Sequence, residues 1–165
     1  MTKYSFRGMH QDDAGALLDI LNYYIQNSTA HFSDKPRDIS YINNIINSER
    51  RLPQYIIQRE DEIIGFGYAY YAYRPEKSFA DTVKFTYWLK PEYTGQGLGK
   101  KLYSLLEKAS KALGIKHILV NISSENTGSI NFHEKQGFLK CGHFRKIANK
   151  KDKLFDIIWL QKTLT

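Results

Sequence analysis

The stretch TVKFTYWLKPEYTGQGLGKKLYSLLEKASKAL, residues 82–113, divides into a strand, a glycine-rich turn and a helix. Thr82, Val83, Phe85, Thr86, Tyr87 and Trp88 are β-branched or aromatic and run up to Pro91, which predicts a strand. From Leu98 onward, Leu102, Leu105, Leu106, Ala109 and Leu113 share one helical face. Lys100, Lys101, Lys108 and Lys111 take the other face, and Gly114 supplies the stop. Between strand and helix lies Gly95-Gln96-Gly97-Leu98-Gly99. Glycines at alternate positions let the backbone turn tightly and bring its N–H groups against a ligand. The first N–H groups of the helix have no partners inside it, and the helix dipole adds partial positive charge, so a phosphate is the natural guest. Lys100 adds full charge one step further in. A flexible loop leading into a solvated basic helix is the plain alternative. The loop lacks the Gly-Lys-Ser/Thr ending of a P-loop, and its third glycine comes one residue early for a dinucleotide fold.

Working outward, 165 residues predict a single domain, residues 1–165, large enough to bury a core without disulfides or metals. A 42% hydrophobic content rules out a disordered chain, and no apolar run approaches the ~20 residues of a membrane helix. No membrane partner is expected. The first residues, MTKYSFRGMHQDD, lack the apolar block of a signal peptide, and Cys141 has no second cysteine to pair with, so a cytoplasmic protein is expected. Cys141 falls in an expected strand with no nucleophile motif around it. His10, His31, His117 and His143 have no metal-spaced partners, so no metal site is expected. The net charge of +7 suits a polyanionic partner. No zinc pattern, helix-turn-helix or RNP signature accompanies it, and no nucleic acid is expected. Coenzyme A is the other polyanion that would fit.

In chain order, residues 3–7 predict a first strand, and Asp12 or Asp13 a cap for a helix carrying Leu17, Leu21, Tyr24 and Ile25. A second helix turns Ile42, Ile45 and Ile46 inward. Gln54 to Arg59 and Ile63 to Tyr73 predict a hairpin turning at Asp61-Glu62. In its second strand Gly65, Gly67 and Ala69 leave one face bare for a helix or a ligand. His117 to Ile122 predicts a buried strand parallel to residues 82–89, given a right-handed crossover through the helix. Thr127 to Lys135 predicts a short helix closed by Gly137. Two strands follow, around Lys140–Ala148 and Leu154–Lys162, joined by a basic turn over Lys146–Lys153. The order βααβββαβαββ is α/β with a mixed sheet.

After the parallel strand comes Asn126-Thr127-Gly128-Ser129-Ile130-Asn131-Phe132-His133-Glu134-Lys135-Gln136-Gly137-Phe138. This block and the segment from Pro91 to Leu102 resemble the two cofactor motifs of the GNAT superfamily, the GCN5-related N-acetyltransferases. The resemblance implies a twisted, mixed, mostly antiparallel sheet flanked by helices, with acetyl-CoA as co-substrate. It implies that Gly95, Gln96, Gly97, Leu98, Gly99 and Lys100 cradle the pyrophosphate. Asn126 would contact the pantetheine arm or the pyrophosphate, and Ser129 in the same block would be a further cofactor contact. Backbone groups of Tyr87, Trp88 and Leu89 at a splayed strand end would hold that arm and polarise the thioester. The family's usual tyrosine is replaced by His133, the candidate general acid, for which a packing role is the alternative. Thr94 stands where the family usually has Gln or Arg.

Asn22-Tyr23-Tyr24-Ile25 and Ser28-Thr29-Ala30-His31-Phe32 narrow the likeness to the phosphinothricin and methionine sulfoximine acetyltransferase branch. There such segments line the acceptor pocket, which implies Tyr24 and Phe32 as acceptor contacts. The branch places a glutamate, its general base, where this chain has Lys84. Lys84 has three readings: an exposed strand residue, a cation for an acidic group of the acceptor, or a desolvated amine acting as base. The expected activity is acetyl transfer to the primary amine of a small, amino-acid-like acceptor by direct attack in a ternary complex, in a homodimer. The rivals are a protein or peptide N-acetyltransferase, a non-catalytic acetyl-CoA-binding domain and a basic nucleic-acid module.

Overall fold

The computed structural model describes residues 4–48, 52–73 and 77–165. Lys3, expected to begin the first strand, lies outside them. Seven strands form one sheet in the order β1-β2-β3-β4-β5-β7-β6. They are β1 (Tyr4–Gly8), β2 (Gln54–Arg59), β3 (Glu62–Tyr71), β4 (Thr82–Leu89), β5 (His117–Ser123), β6 (Leu139–Lys150) and β7 (Lys153–Thr163). The helices are α1 (Ala14–Asn27), α2 (Ile39–Asn47), α3 (Leu98–Ala112) and α4 (Thr127–Lys135). Every strand pair is antiparallel except β4 with β5. That pair is joined through α3, the crossover a parallel connection needs.

The two faces of the sheet bury different helices. Leu98, Leu102, Tyr103 and Leu106 of α3 pack on Val83, Phe85, Ile118, Val120 and Leu160. Leu17, Leu21 and Ile25 of α1, with Ile42 and Ile46 of α2, close on Ile56 and Phe66 on the opposite face. The bare stripe of β3 serves helix packing, the first of its two expected uses. A Cβ on Gly67 would lie 2.8 Å from Tyr87 Cβ and 3.0 Å from Leu102 Cδ2, so only glycine lets α3 come this close.

Two local expectations need correction. Asp13 precedes α1 but does not cap it through its side chain. Its carboxylate takes a bidentate pair from Arg7 at 2.7 and 2.8 Å and the His10 N–H at 2.7 Å. The buried Asp13 carboxyl is thereby held below its ordinary value, its desolvation outweighed by Arg7 and the His10 N–H. The basic run Lys146–Lys153 is not a long turn. Strand β6 continues to Lys150, and only Lys151 and Asp152, both at positive φ, make the hairpin bend. The ladder bulges between Phe144 and Ala148, where Asp156 accepts the Lys146 N–H at 2.7 Å, and Lys150 beyond it is drawn inward to 4% exposure.

Candidate active site

Strands β4 and β5 pair over three residue pairs, Thr82 with His117, Val83 with Ile118 and Lys84 with Leu119. Beyond Lys84 the two strands part, although both continue, and a cleft of about 100 Å³ occupies the opening. Its walls are Phe85 to Trp88 on one side, Val120 to Ile122 on the other, and Asn126, Ser129 and His133 beneath, with Ala30 over it. Backbone groups on the open edge of β4 have no strand partner there, and such groups demand a ligand or water. Tyr24 donates its hydroxyl to the Leu89 carbonyl at the far end of this edge.

The glycine turn lies at the N-terminus of α3. Gly95 and Gly97 have φ of 75° and 79°, the left-handed region that glycine adopts freely. No side chain caps α3, so the N–H groups of its first turn remain available. A Cβ at Gly95, Gly97 or Gly99 would meet nothing within 4 Å beyond its own chain neighbours, so these three positions face open space. Lys100 is exposed beside it. Gln96 is tied down: its Oε1 accepts from Tyr4 at 2.9 Å and its Nε2 donates to the Glu92 carbonyl at 3.1 Å. Leu98 is buried under the turn and anchors it to the core. The asparagine of the second block caps α4, Asn126 Oδ1 accepting the Ser129 N–H at 3.1 Å. Asn126 also lines the cleft.

His133 is 2% exposed and wedged among Tyr87, Phe132 and Phe138. Its Nδ1–H donates to the Ser129 carbonyl at 2.7 Å, which leaves Nε2 to accept the Tyr87 hydroxyl. Burial lowers its pKa to about 4, so the imidazole is neutral at neutral pH. Burial also pushes the Tyr87 phenol well above its ordinary value. The pair is a neutral hydrogen bond that crosses from β4 to the helix following β5. The Tyr87 side chain is a site residue the sequence reading missed, because only its backbone was considered.

The acceptor residues named from sequence fall on the other face. The Tyr24 ring stands 5.0 Å from that of Trp88 and outside the cleft lining, so it supports the β4 end from behind. Phe32 lies against Phe155 and lines a separate hollow of about 400 Å³ with Asn121, Phe144, Ile147, Ala148, Ile157 and Trp159. Lys84 is half-buried at the base of the opening on that face, with its pKa lowered by desolvation. The segment carrying Thr29 to Phe32 is strapped to the sheet. Lys150 donates to the Ser28 and His31 carbonyls at 2.7 Å each, and Ser123 donates to Thr29 Oγ1 at 2.9 Å. Trp88 Nε1 is buried there without a hydrogen-bond partner among the described residues. Among these residues no group of His, Cys, Asp and Glu is placed to hold a metal ion.

A parallel strand pair that opens beside a glycine turn and an uncapped helix start is the framework of an acetyltransferase. The chain belongs to the acetyltransferase (GNAT) family, whose model matches residues 17–138. It is similar to the L-amino acid N-acyltransferase MnaT of Escherichia coli K12, at 29% identity over 164 residues, covering 97% of this chain and 94% of that protein. It is also similar to the phosphinothricin N-acetyltransferase of Alcaligenes faecalis, at 25% identity over 161 residues, covering 96% of this chain and 81% of that protein. The crystal structure of a phosphinothricin acetyltransferase from Sinorhizobium meliloti in complex with acetyl-CoA shares the fold, with a TM-score of 0.92 and 24% identity over 99% of this chain and 89% of that one. The chain is thus an N-acetyltransferase of the acetyl-CoA-dependent class.

Proposed function

We propose that the protein transfers the acetyl group of acetyl-CoA to the primary amine of a small, amino-acid-like acceptor by direct attack within a ternary complex. The observation that carries this reading is the opening of β4 from β5 after three residue pairs, with unpaired backbone on one wall and Asn126, Ser129 and His133 below. The open edge of β4 from Tyr87 to Leu89 receives the amides of the pantetheine arm as an added strand would be received. Gly95 to Gly99, the first N–H groups of α3 and Lys100 take the pyrophosphate. Asn126 and Ser129 bound the arm from below.

Attack by the neutral amine forms the C–N bond and places negative charge on the carbonyl oxygen. A backbone N–H of the β4 edge aimed at that oxygen is worth roughly 3 kcal/mol of barrier. The C–S bond then breaks, coenzyme A leaves as a thiolate, and the proton shed by the acylated nitrogen passes through solvent to the sulfur. His133 takes part through Tyr87: neutral and locked by Ser129, it holds the Tyr87 hydroxyl, and with it the width of the opening, while the phenol is the polar group it presents there. The two named relatives act on small amino-acid acceptors, which supports the same acceptor class here.

The expected homodimer has support in the edge strand β6, where Leu139 is exposed, and in Leu154 beside it. Light scattering should give twice the monomer mass. No helix among the described residues is long and apolar enough to cross a membrane, and a cytoplasmic reaction is proposed. The test of the activity is thiol release from acetyl-CoA across free amino acids, phosphinothricin, methionine sulfone, polyamines and a basic peptide, beside calorimetric titration of acetyl-CoA. Turnover confined to free amino acids and their analogues is the expected result. Preference for the peptide, or binding without turnover on any amine, would overturn it.

A further inference from the structure

Lys84 is a half-buried cation within β4. It is the last β4 residue paired with β5, through Leu119, and therefore stands at the base of the opening. Alternation along β4 puts it on the face of Thr86 and Trp88, opposite the one that packs on α3. Its ammonium lies 4.7 Å from the centre of the Trp159 ring and 5.7 Å from that of Tyr70. Trp159 pairs across the sheet with Asn121, so the Lys84 side chain leans over β5 to the level of Asn121. Asn121 lines both the cleft and the apolar hollow of Phe32, Phe144, Ile147, Ala148, Ile157 and Trp159. The charge thus stands at the base of the opening and against Trp159, a wall of a largely apolar hollow of about 400 Å³.

No carboxylate among the described residues pairs with this ammonium, and desolvation lowers its pKa. Aromatic faces stabilise a cation without neutralising it, so they orient the charge and leave its donors free. A half-buried ammonium with no anionic partner among the described residues calls for an oxygen-bearing anion.

From this placement we infer that Lys84 is the carboxylate anchor of the acceptor, and that the acceptor is a free α-amino acid with an apolar side chain. The inference rests on the acetyl-transfer reading and names its substrate. The amine enters the opening, the carboxylate pairs with Lys84, and the side chain fills the hollow beside Trp159. An internal peptide or protein N-terminus lacks that carboxylate, and a polyamine would bring a second positive charge against Lys84, so both are disfavoured. The nearby positive charge also favours the uncharged form of the acceptor amine, the form that attacks.

The test is calorimetric titration of N-acetyl-L-methionine and N-acetyl-L-methioninamide into the wild-type protein saturated with coenzyme A. Because both ligands are products or product analogues, no turnover is needed. The acid should bind at least tenfold more tightly than the amide. Lys84→Met should abolish the difference while leaving acetyl-CoA affinity within twofold, and Lys84→Arg should keep it. Equal affinity of acid and amide for the wild type, no binding of either, or a preference that survives in Lys84→Met would overturn the assignment. Thiol release separates the two readings. A carboxylate preference without turnover on any amine would leave the anchor standing and sink the acetyl-transfer proposal, and turnover with equal acid and amide affinity would do the reverse.

Discussion

At the scale of single residues, Gly97 and His133 act through opposite physical features, openness and burial. Gly97 has φ of 79°, yet a side chain there would touch no protein atom. Gly97→Val should therefore cost stability only through backbone strain, about 1–2 kcal/mol. It should nevertheless abolish measurable acetyl-CoA binding, because the added methyl groups project where the pyrophosphate is proposed to lie. Calorimetry beside thermal melting checks this, and a folded variant that binds acetyl-CoA normally would remove the glycine turn from the site. His133→Ala should behave differently, since it leaves the Tyr87 hydroxyl buried without an acceptor at a cost of about 1–3 kcal/mol. Acetyl-CoA affinity should stay within a few-fold while kcat falls at least tenfold, and Tyr87→Phe should match it. If kcat is unchanged in both, the pair is only packing. The burial of His133 also fixes the form of the pH profile. With its pKa near 4, it contributes no limb to kcat between pH 5.5 and 8.

At the scale of elements, the segment between α1 and α2 is held by groups far away in sequence. Lys150 reaches back from the end of β6 to the Ser28 and His31 carbonyls, and Lys151 to the Gln26 carbonyl at 2.6 Å. These carbonyls lie at and just beyond the C-terminal end of α1, where a cation also meets the negative end of the helix dipole. Lys150→Met keeps the buried stem but strands two carbonyls, and hydrogen bonds to a charged group are worth about 1.5–3 kcal/mol. The acceptor KM should rise several-fold, with acetyl-CoA affinity unchanged, since the strap holds Ala30 and Phe32 but not the glycine turn. An unchanged acceptor KM would show that the segment is set by its own chain. This strap explains why part of the site was illegible in the sequence. The strand, turn and helix of residues 82–113 were legible because period, glycine spacing and stop signals are local, as were Asn126 and the closing Gly137. Lys146–Lys153 has the composition of a solvated turn, and nothing local reveals that Lys150 has carbonyl partners more than a hundred residues earlier. Nor could spacing bring Trp159 to Lys84, or Tyr87 to His133, because those contacts depend on strand order and on the angle at which β4 leaves β5.

At the scale of the whole molecule, burial of two imidazoles should make the fold sensitive to mild acid. His31 is pressed near Trp88 with Arg37 and Lys150 in its surroundings, and its pKa, like that of His133, is lowered to about 4 from the usual 6.5. Desolvation is the main cause in both. As pH falls through 6.5 the unfolded chain takes up these protons, whereas the folded chain does not until about pH 4. Stability is therefore full above pH 6.5, declines between 6.5 and 4, and is flat with respect to these groups below that. For His133, almost fully buried, the loss is about 3 kcal/mol. His31 adds to it in the same direction. The depressed carboxylates Asp13, Asp81 and Asp156 titrate below their ordinary value of 3.8, so their contribution falls beneath this window. Urea unfolding at pH 7.0 and pH 4.5 should show a lower midpoint in acid, and the paired substitutions His31→Gln and His133→Gln should flatten the dependence. A midpoint that does not move between these pH values, or a slope that persists in the double variant, would mean that the imidazoles are solvated in the folded protein. The neutral hydrogen bond proposed to hold the opening between β4 and β5 would then have to be abandoned as well.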